Sequence, residues 1–476
     1  MFLKSKKTIK LAAATLMLLL APAFIQPQVM HVELEQHTEE AMQDAPTSVK
    51  NALQQANQEL TFSLERSGTA KFTGQFYIGS KKSPAKLILD SGSDWLFVES
   101  EQCEACQPIH RVYNPDTSTT KYAGDNDAYV VMYESLYVVG DDYFDNVCIA
   151  SKIEDIDKYC VKNFRFLAVT DIPQEKGKPA LTPMDGMLGL GPDDPANGPS
   201  FVAALYNEQK IGRKMFGLAY GKQLKSQITF GGWDETFKRS IEDEIYFFPQ
   251  TNNTRWEIEL RDVKMSNTSF WTSTRKVVID TFFRVVSLPL PEYENFKNYI
   301  EKISSDIICN SKTRICQFEG KCSTRVAQMP QLRLQFCSMQ TFAVNPQDYL
   351  DDRKDDLTQK DVCVMLIQGT EKDYMQVGQS FLFNYYTIFD FEKSRVGFFL
   401  VKGTNSEVNN DGVFRPDITP EKFPVWAIIL IALVVLGGLV GIFAYVFVKY
   451  RNRKLAHNLA EYNQLEGTRA VKKTIE

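Results

Sequence analysis

Between residues 60 and 401 the chain is built of short alternating apolar and polar runs separated by Gly, Pro, Asn and Asp. Examples are Lys71-Phe-Thr-Gly-Gln-Phe-Tyr-Ile-Gly79, Ala128-Tyr-Val-Val-Met-Tyr133, Leu136-Tyr-Val-Val139 and Gln227-Ile-Thr-Phe-Gly-Gly232. A period of two over such lengths predicts strands, so this region reads as mainly β. Helical spacing is clearest over residues 201–210 and 292–303. Residues 24–59 are polar and weakly helical and read as a pro-segment or linker. Residues 402–424, rich in Asn, Asp, Gly and Pro, read as a stalk.

Two apolar stretches depart from this texture. A basic start followed by an uncharged run with Ala21-Pro22-Ala23 at its end predicts a signal peptide over residues 1–23, too short to span a bilayer. Residues 425–448 carry no charge and are followed by Lys449, Arg451, Arg453 and Lys454. Length and flanking charge predict one transmembrane helix of a type I protein, with a cytosolic tail over 449–476. Gly437 and Gly441 form a G-x-x-x-G, too common in such helices to set an oligomeric state.

With 476 residues and 44% hydrophobic composition, the chain can bury large cores. A net charge of −5, with no Lys/Arg stripe outside the termini, argues against a nucleic-acid partner. All nine cysteines precede the apolar 425–448 segment, in a compartment where disulfides are the rule, and the odd count leaves one over. A zinc site at Cys103-x-x-Cys106 would need two further ligands, and only His110 is close, so a disulfide is expected and no metal. Asn252 and Asn267 head glycosylation sequons.

The candidate chemistry lies in a repeated pattern. Leu87-Ile-Leu-Asp90-Ser91-Gly92-Ser93 is an apolar strand delivering a carboxylate into a tight turn, and Val277-Val-Ile-Asp280-Thr281 repeats it. One copy is also what an ordinary strand-ending turn looks like. Met187-Leu188-Gly189 follows Asp90 at nearly the interval at which Gln376-Val377-Gly378 follows Asp280, which points to a duplicated lobe.

These residues resemble the pepsin family of aspartic endopeptidases across residues 60–401. The matches run in order: Asp90-Ser-Gly-Ser93, Cys103 to Cys106, Tyr113-Asn-Pro-Asp-Thr-Ser-Thr-Thr120, Asp185-Gly-Met-Leu-Gly-Leu-Gly191, Ile228-Thr-Phe-Gly-Gly232, Trp256-Glu-Ile258, Val377-Gly-Gln-Ser-Phe381 and Tyr385-Tyr-Thr-Ile-Phe-Asp390. The resemblance implies a bilobal β fold, N-lobe about 60–230 and C-lobe about 231–401, with Asp90 and Asp280 meeting at the cleft floor. Two carboxylates that close share a proton, so one serves as base toward water and the other as acid toward the peptide carbonyl. That chemistry acts on polypeptides, works at low pH and needs no cofactor. The resemblance also implies Tyr133 on a flap over the cleft, and disulfides Cys103–Cys106 and Cys322–Cys363. Proximity suggests Cys148–Cys160 and Cys309–Cys316, leaving Cys337.

This chain departs from the family at several of these positions. Glu134 and Leu136 replace the glycines beside the flap tyrosine, and Phe97 replaces the Trp that holds its hydroxyl. At the second motif the family has Asp-Thr-Gly-(Ser/Thr), whereas this chain has Asp280-Thr281-Phe282-Phe283. Phe282 brings bulk to a place of close approach. Phe283 removes a hydroxyl that bonds the outer carboxylate oxygen, a loss expected to raise the Asp280 pKa. The expectation is a membrane-anchored aspartic endopeptidase; the alternative is a catalytically silent pepsin-fold module that binds peptides. Tyr462-Asn-Gln-Leu465 in the tail has the form read by coat adaptors, so the endolysosomal membrane is the expected address and the plasma membrane the alternative.

Overall fold

The computed structural model describes residues 60–410 except 68–70, 125–128, 134–135, 151–152, 173–184, 193–197, 222–224, 273–274, 337–339 and 356–357. The side chains of 60–71 and 129–137 also lie outside the described set. So do the expected signal peptide, the 24–59 segment, the 425–448 span, the tail and Cys337. Among the described residues no helix is long and apolar enough to cross a membrane.

The mainly β, bilobal architecture expected from the pattern is present, and its two lobes repeat one device. In the N-lobe, Ser83–Asp90 runs parallel to Gly186–Gly189, with Asp90 opposite Gly189. Leu96–Glu99 then returns antiparallel on the other side of that same strand. In the C-lobe, Lys276–Ile279 runs parallel to Met375–Val377, and Val286–Pro289 returns antiparallel on its far side. Each acid therefore ends a buried strand where the backbone must bend around a third strand. The apolar-apolar-Gly triplets belong to that third strand. A Cβ at Gly189 would overlap the backbone of Asp94 and Trp95, and one at Gly378 would overlap the Phe283 carbonyl, so only Gly lets the bend pass this close.

A shared antiparallel sheet joins the lobes: Leu60–Ser67, Ser226–Phe230, Met215–Ala219, Tyr385–Asp390, Arg395–Leu400 and Tyr246–Asn252 lie side by side in that order. Trp256, fully buried, packs on Phe389 and Phe391 and donates its indole N–H to the Leu190 carbonyl (2.8 Å), bonding C-lobe to N-lobe.

The helical expectations are met at Phe201–Asn207 and Leu290–Ile303. The first is capped by the Ser200 hydroxyl, which accepts the Ala203 N–H, and is followed by Gln209 in the left-handed region. The second buries Tyr293, Phe296 and Ile300, one face at helical spacing. All four disulfides form as anticipated: Cys103–Cys106, Cys148–Cys160, Cys309–Cys316 and Cys322–Cys363. The first part of the expected stalk is folded instead. Val408–Asn410 pairs with Gln340–Val344, and Ser406 is buried, its hydroxyl accepting from Asn345 and its carbonyl from Arg239. The polar composition read as a stalk is here consumed by hydrogen bonds to the domain.

Candidate active site

The two strand-end loops are keyed to each other by reciprocal hydrogen bonds. The Ser91 N–H donates to Thr281 Oγ1 (2.8 Å) and the Thr281 N–H to Ser91 Oγ (3.1 Å). The same hydroxyls then donate across the interface, Ser91 to the Ile279 carbonyl (2.9 Å) and Thr281 to the Leu89 carbonyl (2.9 Å). Both residues are almost completely buried, so every donor and acceptor lost here would go unpaired. The Tyr220 hydroxyl adds a bond to the Thr281 carbonyl (3.2 Å). Burial holds that phenol protonated, and the nearby Asp90 and Asp280 carboxylates reinforce this, so it acts only as a donor.

This keying brings Asp90 and Asp280 together, each about 5% exposed. Both converge on Gly92: a Cβ there would overlap Asp280 Oδ2 and lie 3.2 Å from Asp90 Oδ1. Gly92 is thus required by space. Asp90 Oδ1 accepts the Gly92 N–H (2.8 Å), and Asp280 Oδ1 accepts the N–H groups of Phe282 (2.9 Å) and Phe283 (3.2 Å). The Phe-Phe sequence therefore keeps the backbone cradle of its acid, and neither Phe takes a positive φ. Ser93 is buried, its hydroxyl 3.5 Å from the Met187 sulfur.

Phe282, half-buried, leans across onto an N-lobe apolar cluster that includes Ile88, Phe97, Leu167 and Met187. Phe283 lies 5.6 Å beneath the Lys372 ammonium. The hydrogen bond expected to be lost at Phe283 is made by another residue: the Gln376 side chain donates to Asp280 Oδ2 at 2.6 Å. Sequence reasoning missed Gln376. The available signal was a polar residue where the repeated triplet calls for an apolar one. Tyr220 and Lys372 were missed too, with no comparable signal.

Tyr133 ends the first strand of a hairpin, Tyr129–Tyr133 against Leu136–Ile149, with Tyr133 opposite Leu136 next to the tip; its side chain is outside the described set. Phe97 is fully buried, as its replacement of a donor-bearing Trp permits. Asn252 ends the strand Tyr246–Asn252, half-buried, and its Oδ1 accepts from the Thr254 N–H and hydroxyl (2.8 Å each) in the turn that follows; Asn267 is exposed on a turn.

Two carboxylates on related loops, held by shared hydroxyls, thus meet at the junction of two β lobes. The chain belongs to the eukaryotic aspartyl protease family, whose model matches residues 71–401. It is similar to the vacuolar aspartic protease of Candida albicans, 26% identical over 69% of this chain and 74% of that one. It is also similar to plasmepsin VII of Plasmodium berghei, 25% identical over 70% and 74%, and to cathepsin D of Dictyostelium discoideum, 24% identical over 82% and 98%.

Proposed function

We propose that this protein is a membrane-anchored aspartic endopeptidase that hydrolyses polypeptides at acidic pH through Asp90 and Asp280. The observation that carries this is the reciprocal Ser91–Thr281 bonding, which holds two nearly buried carboxylates against each other. Like charges that close cannot both ionise, so one proton is shared. The ionised member takes a proton from water as its oxygen attacks the scissile carbonyl; the protonated member gives its proton to the carbonyl oxygen. Collapse of the tetrahedral intermediate returns a proton to the leaving nitrogen. The test is incubation of the full chain with a denatured protein from pH 3 to 7, with and without a statine-type transition-state analogue. Asp90→Asn and Asp280→Asn should each abolish cleavage, and activity unchanged in both would rule out the pair.

One observation favours the second reading, a silent peptide-binding module: Phe282 occupies space between the lobes by packing on the N-lobe cluster. In that case the statine peptide binds and nothing is cleaved.

The uncharged 425–448 segment with its basic flank supports the membrane anchor, and the two sequons support glycosylation. An acid-working dyad and Tyr462-Asn-Gln-Leu465 together support residence in the endolysosomal membrane. Tyr462→Ala should then move the protein to the cell surface, and an unchanged distribution would remove the motif from the argument.

A further inference from the structure

We propose that Gln376 is a positioning residue that takes over the task of the hydroxyl missing at Phe283, holding Asp280 as the ionised member of the pair, and that Lys372 fixes the orientation in which it does so. This rests on the peptidase reading above for its catalytic meaning, though not for its geometry.

The internal two-fold shows that a hydrogen-bonding group has changed places. Val278 pairs with Gln376 as Ile88 pairs with Met187, so Gln376 and Met187 are related positions. Phe283 and Ser93 are related likewise, each three residues past its acid. The N-lobe puts the polar side chain on the loop and the apolar one on the strand, with Ser93 and Met187 in contact. The C-lobe reverses this: Phe283 is on the loop, and Gln376 on the strand reaches Asp280 Oδ2 at 2.6 Å. Gln376 is 3% exposed, so water does not substitute for the bond.

A carboxamide can face a carboxyl by its oxygen or its nitrogen, and the neighbour decides which. Lys372 Nζ lies 3.3 Å from the other end of the amide. An ammonium has donors only, so the atom facing it is Oε1, and the atom facing Asp280 is the NH2 group. That group in turn tolerates only an oxygen without a proton. With Oδ1 already accepting two backbone N–H groups, both oxygens of Asp280 are occupied by donors. The shared proton therefore resides on Asp90. In the reaction, Asp280 takes the proton from water and Asp90 supplies the one that goes to the carbonyl oxygen.

Asp90 and the Tyr220 hydroxyl face Asp280 from the N-lobe side. On its own lobe Lys276 pairs with Asp373, Glu371 with Arg314, and Arg284 with Asp351. Lys372 acts through Gln376.

The test uses the full chain and two readouts. Carbon NMR of carboxyl-labelled aspartate, with Asp280 assigned by Asp280→Asn, reads the titration of that group whether or not the protein turns over substrate. Asp280 should titrate below Asp90. Gln376→Met should raise its apparent pKa by about one to two units, as expected for removing a hydrogen bond to a charged group. Met is the residue at the related N-lobe position, so this variant suits the packing; Lys372→Met, at a half-exposed site, should shift Asp280 the same way by less. In kinetics, the acidic limb of the kcat profile should move up by the same amount with KM little changed. Adding Phe283→Thr to Gln376→Met should bring the limb back. An Asp280 titration unmoved by Gln376→Met, or lying above that of Asp90 in the native protein, overturns the proposal. A shifted carboxyl in a protein that cleaves nothing would sink the peptidase reading and leave this one standing; cleavage with an unmoved carboxyl would do the reverse.

Discussion

Replacing Glu99 with Gln should leave stability at pH 4.5 nearly unchanged and raise it at pH 7.5. Glu99 ends the strand Leu96–Glu99 and is 5% exposed, and its Oε2 has no hydrogen-bond partner among the described residues. Burial, and then the Asp185 carboxylate, push its pKa from 4.5 up to about 7, with Arg111 opposing. Asp185 is itself held in place by His110 Nδ1 (2.8 Å) and the Lys86 N–H (2.7 Å). Between pH 4.5 and 7 the folded protein thus binds this proton more tightly than the unfolded chain does. The contribution to stability is complete below pH 4.5 and is lost as pH rises toward 7. At about 1.4 kcal/mol per pH unit the full loss would be about 3 kcal/mol. Partial solvent screening brings the expected value nearer to about 2 kcal/mol. Gln cannot ionise, so the variant should match the native protein at pH 4.5 and exceed it by that amount at pH 7.5. Urea unfolding of both proteins at the two pH values, followed by tryptophan fluorescence, measures the difference directly. An equal stability difference at both pH values would refute the reasoning.

Thr281→Val removes an acceptor from the Ser91 N–H and a donor from the Leu89 carbonyl, both buried. It should cost about 2–3 kcal/mol in urea unfolding and, by loosening the carboxylate pair, about 100-fold in kcat. Phe282→Gly should increase kcat/KM for unfolded polypeptide by roughly tenfold by freeing the N-lobe cluster surface, while losing about 2 kcal/mol of packing from a half-buried ring. Unaltered kcat/KM in a folded Phe282→Gly protein would show that the ring does not obstruct the cleft.

Much of the fold was legible because it is carried by period-two apolar alternation and by two strand-end acids, and both are local in sequence. Asp90 and Asp280 could be paired from their matching downstream triplets, and the disulfides lie within hairpins or join neighbouring segments. The reading failed where polar residues take on tertiary roles. The segment 402–410 looks like a linker by composition, yet its Ser406 and Val408–Asn410 are bonded to a sheet edge. Glu99 sits in an apolar run whose burial, and not its residue type, makes it a proton-binding group.

The second motif shows why a loop sequence alone misjudges a duplicated site. Read by itself, Phe283 deletes a hydrogen bond that the acid needs. In space, the Asp280 carboxylate is bonded by two elements, the loop that follows it at Oδ1 and the strand the loop straddles at Oδ2. Either can supply a donor, provided the other supplies the apolar bulk, because the volume between them is shared. The N-lobe places its polar group on the loop, the Ser93 hydroxyl against Met187; the C-lobe places it on the strand, the Gln376 amide against Asp280. The two solutions differ in one respect that matters for chemistry. A hydroxyl can donate or accept and so follows the proton wherever it goes, whereas an amide whose oxygen faces Lys372 can only donate toward Asp280. The exchange thus keeps the bond and removes the freedom of the pair to choose which member is charged.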